Sequence, residues 1–302
     1  MGAGLLALLV VRIGPADMLR AWRVAPKGPL ALAAAVFAAM ISLRAVKWYV
    51  FLRGAARPAS YLACLRAYSL NAFFANLTPA RTGEMLAPVW LAKHDVPVAT
   101  GFAVLIVDRV IDMLVVLAFF SLAAWNLARL APAESEVYRT AGAFAGSFVG
   151  VGLAVLIVAL WRLDVTMALV GRLPGRWPAR LHKGLAAFRD ALIPFGNRNT
   201  LAANSLLTVA GWLLDMTASF ILVRTFLPGL GFLESATASM FACLASILSF
   251  VPGGIGIGAA GYTVILALLG YDVTLVGSAA VLWTVIAHGV RATMAGVMSR
   301  VA

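Results

Sequence analysis

Charge is scarce in this chain: only 12% of its 302 residues are Asp, Glu, Lys or Arg, and the 12 acids are outnumbered by 24 bases. With 63% hydrophobic residues and a mean hydropathy of +0.96, that scarcity excludes an ordinary water-soluble domain. Cysteine is limited to Cys64 and Cys243, far apart and in apolar surroundings, which supports neither a disulfide framework nor a thiolate metal site. His94, His182 and His288 are dispersed and lack the His-Glu-x-x-His spacing, so a zinc site has no support. There is no Walker loop, dinucleotide glycine fingerprint or nucleophile elbow, which argues against ATP-driven pumping by this chain; no cofactor or metal is expected and no catalytic residue is assigned. Strand alternation is missing as well, which argues against a β-barrel.

Long apolar runs dominate what remains, at 28–52, 98–127, 141–161, 200–228, 232–251, 254–270 and 274–299. Runs of about 20 apolar residues read as membrane-spanning helices. The fold class is therefore an all-α polytopic membrane protein with about eight transmembrane helices, forming a single transmembrane domain over 1–302. The segment Gly2 to Ile13 is short for a span and is expected to be either a half helix or the result of a misplaced start codon; it lacks a basic leader region and a clear cleavage site.

The net charge of +12 does not indicate nucleic acid, because the bases sit in loops between apolar runs. They report orientation instead. Arg162, Arg172, Arg176, Arg180, Lys183, Arg189 and Arg198 mark residues 162–198 as a cytoplasmic loop, and the same bias puts the C-terminus inside. Within that loop Leu181, Leu185, Phe188 and Leu192 alternate with bases as in an interfacial helix on an anionic leaflet, with a docking site for a cytoplasmic partner as the rival reading. Homo-oligomer formation is left open. The expected location is the inner, plasma membrane. Arg44, Lys47, Arg53, Arg57 and Arg66 are read in the same way, as charges at the cytoplasmic end of their span, whereas Arg20, Arg23 and Lys27 in an external loop at 14–27 run against this topology.

Two irregularities interrupt the apolar pattern. Residues 61–92 are largely apolar, yet both Arg53 before them and Val98 after them are placed inside. The company of Asn71, Asn76, Thr78, Pro79 and Gly83 favours a re-entrant hairpin over a lipid-facing loop. A second break falls near 250–258, where Pro252 precedes Gly256 by four residues as Pro79 precedes Gly83. Paired breaks of this kind point to an inverted repeat with a central binding site; the alternative is two unrelated helix ends. Gly254, Gly258 and Gly261 have the spacing of a close helix contact, while Pro252, Gly253 and Gly254 are read as substrate contacts or a hinge.

The sharpest conflict lies in the run from 98 to 128, where Asp108, Arg109 and Asp112 fall inside a membrane span. An ionisable group near mid-bilayer costs about 3 kcal/mol on insertion scales. On a helix Asp108 and Asp112 share a face, so Arg109 is expected to pair with one and leave the other available, with Arg81 and Glu84 completing the network. An arginine there would grip a headgroup phosphate and an acid would face an amine or sugar hydroxyls; alternatively the five charges only neutralise one another and fix packing. The pair Asp215 and Arg224, and the pair His288 and Arg291 near the end of the last span, rank lower.

The Asn-rich stretch ending in Pro79, Arg81, Gly83 and Glu84, the Asp108, Arg109, Asp112 cluster, and the run Pro252, Gly253, Gly254, Ile255, Gly256 occur in this order across nearly the whole chain. In this the chain resembles the flippase-like integral membrane family that includes the transmembrane domain of lysylphosphatidylglycerol synthases. The resemblance implies moving or handling a lipid across the membrane and names no lipid. Similar proteins carry a glutamate shortly after the glycine run, where this chain reads Ile257, Gly258, Ala259, Ala260, so a shared substrate does not carry over. No soluble aminoacyl-transferase domain is expected within these residues. The candidate substrate-binding residues are Asn76, Arg81, Glu84, Asp108, Arg109, Asp112, Pro252, Gly253 and Gly254, and the expected partner is an anionic phospholipid or lipid-linked substrate. A membrane-embedded enzyme acting on a lipid or polyprenyl phosphate, or an accessory scaffold for one, remains the alternative to a flippase.

Overall fold

A computed structural model of the protein describes residues 14–54, 59–132, 135–161, 197–249 and 251–300, with 11, 187 and 190–193 besides. The expected interfacial helix at 162–198 lies mostly outside the described residues, as does the segment Gly2 to Ile13. Among the described residues the chain is helical and without strands: α1 (Pro15–Val24), α2 (Lys27–Gly54), α3 (Tyr61–Leu77), a 3₁₀ segment (Pro79–Leu86), α4 (Ala87–Ala92), α5 (Val98–Leu130), α6 (Ser135–Trp161), α7 (Arg198–Arg224), α8 (Phe232–Leu248), a 3₁₀ turn (Pro252–Gly254), α9 (Ile257–Leu268) and α10 (Val273–Arg300). The protein is an all-α polytopic membrane protein. Helices α2, α7 and α10 are long and apolar enough to cross a membrane; α5, with 33 residues, is longer still but carries charges at its centre.

Residues 14–27 form mainly a helix rather than the expected loop. Pro15 suits a first helical turn, and Met18 and Trp22, four residues apart, face inward, where the Trp22 indole N–H donates to the Ser278 carbonyl at 3.0 Å.

Cross-helix contacts fix the direction of each element. Lys47 reaches Thr208 and Arg44 lies over the Trp212 ring, so α2 and α7 run antiparallel; Lys47 with Asp108 and Arg44 with Asp112 make α2 and α5 antiparallel too. Gly54, Val98 and Arg198 therefore share one end of the bundle. The span between α2 and α5 must return to where it began. It does so as a broken hairpin, down α3 and back through the 3₁₀ segment and α4, as the residue types at 61–92 required.

Thr78 holds that break together. It is extended (φ −110°, ψ 144°) before Pro79, its hydroxyl donates to the Phe74 carbonyl at 3.1 Å, and the same oxygen accepts the Gly83 N–H at 2.6 Å. Space is tight here: a Cβ on Gly83 would stand 2.5 Å from the Phe74 carbonyl oxygen. Gly83→Ala is expected to lower stability by about 1–3 kcal/mol, the usual cost of overpacking, read as a lower melting temperature in detergent.

The second break separates α8 from α9. Gly253, Gly254 and Gly256 have φ of 62°, 60° and 83°, which glycine adopts without penalty. The two helices then fold back on each other through small residues, with Gly258 and Gly261 against Ser246 and Ala242. The tip reaches the level of His288, twelve residues before Arg300, and so stops about 18 Å short of the end of α10. The two breaks touch, since the Cβ position of Gly253 lies 2.9 Å from the Asn76 carbonyl oxygen. Backbone that has left the helical pattern is thereby placed in the protein interior, where it can be satisfied.

Candidate functional site

Asp108 and Asp112 lie one turn apart on the inner face of α5, with relative exposures of 0% and 2%. Each has a cation of its own from α2: Lys47 Nζ stands 2.6 Å from Asp108 Oδ1, and an Arg44 amino group donates to Asp112 Oδ1 at 3.1 Å. Arg44 and Lys47 are thus buried at the heart of the bundle, contrary to their reading as end-of-span orientation charges. Three residues apart on a helix, they occupy one face, and they complement two acids spaced by four on an antiparallel neighbour. Trp212 of α7 also donates to Asp112 Oδ1 at 3.0 Å, and Lys47 donates to the Thr208 hydroxyl at 2.9 Å.

Arg109 leaves no acid free either. It donates to Asp108 at 2.9 Å and Glu84 at 3.2 Å, and lies 3.6 Å from Asp112. Glu84 is also paired with Arg81 Nε at 2.7 Å. The network thus joins four cations and three acids, Arg44, Lys47, Arg81 and Arg109 against Glu84, Asp108 and Asp112. Arg109 serves as its clamp, with no acid left available beside it. Charges in this setting are tolerable because they are paired and hydrogen-bonded.

Next to the network lies a cavity of about 470 Å³, walled by α2, α3, α7, α8, α9, α10 and the two breaks. Of the residues singled out in the sequence, Asn76, Arg81, Asp112, Gly253 and Gly254 line it. Glu84, Asp108, Arg109 and Pro252 do not; the first three stand behind the wall in the ion network. Asp112 is the lining residue from α5, so the cavity opens on the α7 and α10 side of the charged helix rather than beside α5 as a whole. Arg81 sits at its edge with 46% of its side chain exposed, in a left-handed backbone conformation (φ 57°) that is uncommon outside glycine.

Several lining residues were passed over or ranked low in the sequence. Asp215 and Arg291 line the cavity together with Arg44, Tyr68, Trp212, Trp283 and His288, whereas Arg224, the sequence companion of Asp215, lies away over the Phe220 ring. His288 and Arg291 occupy the middle of α10, not its end. His288 Nδ1 faces the Thr284 carbonyl at 2.8 Å, which leaves Nε2 buried and without a hydrogen bond beside Gly253. Lone charged residues inside apolar runs were the available signal for Asp215 and Arg291. Among the described residues no three His, Cys, Asp or Glu side chains are grouped to hold a metal ion. The network acids already have cationic partners.

Comparison with known proteins agrees with this architecture. The sequence model of the "Lysylphosphatidylglycerol synthase TM region" matches residues 1–292. The chain is 27% identical to "Glycosyltransferase AglD" of Haloferax volcanii over 87% of its own length and 47% of that protein, so it spans about half of that relative. It is 22% identical to "UPF0104 membrane protein PH1989" of Pyrococcus horikoshii over 88% of its own length and 85% of that protein.

Proposed function

This chain belongs to the lysylphosphatidylglycerol synthase transmembrane-region family, and on that premise we propose that it moves a polar-headgroup lipid between the leaflets of the plasma membrane. The observation that carries this reading is the cavity, which Arg44, Arg81 and Arg291 line among largely apolar side chains. A headgroup crossing a bilayer must leave water, and a polar cavity replaces its hydration with fixed donors while the acyl chains stay in lipid. Guanidinium is the side chain best suited to a phosphate, through its planar fork of donors. The candidate headgroup site is Asn76, Arg81, Gly253 and Gly254 with Arg291, which ranked low in the sequence, while Glu84, Asp108, Arg109 and Asp112 hold the wall in place. The two touching breaks supply the hinge, as expected of paired half helices in transporters built from repeats. The basic residues Arg53, Lys93 and Arg198 support a cytoplasmic location for the end shared by Gly54, Val98 and Arg198.

Labelled-lipid movement in proteoliposomes tests the reading, with ethanolamine, glycerol and choline headgroups compared. Movement above protein-free vesicles is expected, falling about tenfold in Arg81→Ala, the scale of one charge-assisted hydrogen bond, with a melting temperature lowered only slightly because Glu84 keeps its contact with Arg109. Folded protein that moves no lipid, yet converts a lipid or polyprenyl phosphate to product in micelles, would establish a membrane-embedded enzyme instead.

A further inference from the structure

We infer that Asp215 selects the headgroup, favouring phosphodiester lipids that end in a hydrogen-bond donor over those whose headgroup is fully methylated. This rests on the lipid-handling reading and specifies the chemistry of the same cavity.

An acid and a base line the cavity without pairing with each other. Among the described residues Asp215, on α7, makes no hydrogen bond or ion pair, and Arg291, on α10, has no carboxylate within ion-pair distance. The Arg291 guanidinium lies 4.7 Å over the Phe37 ring. Both residues line the same cavity, so the two face a common space. This contrasts with Glu84, Asp108 and Asp112, each of which is in contact with a cation.

A carboxyl group and a guanidinium that stay apart in an apolar cavity are costly to leave unpaired, and a ligand that meets both offsets that cost. The ligand must carry an anionic oxygen for Arg291 and an N–H or O–H for Asp215, a group that only donates meeting one that accepts. A phosphodiester ending in an ammonium or a hydroxyl supplies both within one headgroup. A choline headgroup supplies the phosphate but has no hydrogen to give. Discrimination of this type is large, because the rejected ligand leaves a buried polar group unpaired.

Binding in detergent separates selectivity from transport. Short-chain phosphatidylethanolamine, phosphatidylglycerol and phosphatidylcholine are titrated onto the full chain, with native mass spectrometry counting bound lipid. At least one donor-bearing lipid is expected to bind about tenfold more tightly than phosphatidylcholine. Asp215→Ala should bring that ratio close to one while phosphatidylcholine binding persists through Arg291. Asp215→Asn, nearly isosteric, covers the case in which alanine disturbs folding. A preference for ethanolamine that disappears in Asp215→Asn would identify an ammonium met by the carboxylate charge, whereas a wild-type preference for glycerol that survives in Asp215→Asn but not in Asp215→Ala would identify a hydroxyl met by the side-chain oxygen. Equal binding of all three lipids by the wild type, an unchanged ratio in Asp215→Ala, or no binding at all overturns the assignment. Selective binding without movement in vesicles would sink transport and leave Asp215 as the selector.

Discussion

Asp112→Ala is expected to cost about 3–5 kcal/mol of stability, the scale on which a buried ion pair broken on one side destabilises a protein. Asp112 accepts from Arg44 at 3.1 Å and from Trp212 at 3.0 Å, and helps hold Arg109. Its loss leaves a guanidinium and an indole N–H buried between α2, α5 and α7 with nothing to accept from them. Accumulation in the membrane and the melting temperature in detergent should both fall sharply. The comparison with Arg44→Met/Asp112→Leu isolates the cause, because removing both charges removes the orphan as well as the pair. That double variant should recover much of the loss. Equal damage in the single and double variants would mean that side-chain shape, rather than charge, holds these helices together.

Arg291→Gln should act the other way, with headgroup movement lost and the fold kept. Arg291 contributes a ring contact with Phe37 and no ion pair among the described residues, so its removal leaves no buried acid stranded in contact with it. If it grips the headgroup phosphate, losing that charged contact is worth about 2–5 kcal/mol, or roughly thirtyfold and more in rate. The melting temperature should shift little. A variant that moves lipid at the wild-type rate would transfer the phosphate to Arg44 or Arg81. Arg109→Gln makes the instructive contrast: it touches Glu84, Asp108 and Asp112, so its loss is expected to appear in stability rather than in selectivity.

The spans and both breaks were legible because membrane insertion writes its demands in composition. Apolar runs set the helices to within a few residues, and Asn76, Pro79, Gly83 and Pro252 to Gly256 marked where backbone departs from them. The cluster at Asp108, Arg109 and Asp112 was equally plain, since an acid in an apolar run needs a partner. The identity of the partner was not, because Arg44 and Lys47 stand near Arg53 in sequence and read as charges at a span end. Their burial depends on how far α2 extends past them and on which helices pack beside it. Which arginine faces open space is likewise a matter of helix rotation. Arg109 and Arg291 are each the single arginine of an apolar run, yet one is clamped among acids and the other lines a cavity.

The pairing of α2 with α5 has a consequence for how the chain is made. Arg44 and Lys47 leave the ribosome about sixty residues before the acids that will neutralise them. Each helix alone would enter lipid with costly charges, about 3 kcal/mol apiece at the bilayer centre. Side by side, they present a paired seam to each other and an apolar face to lipid. The first helix is therefore expected to wait beside the insertion channel until the second arrives, so that a dwell time during synthesis is written into the distance between a lysine and an aspartate.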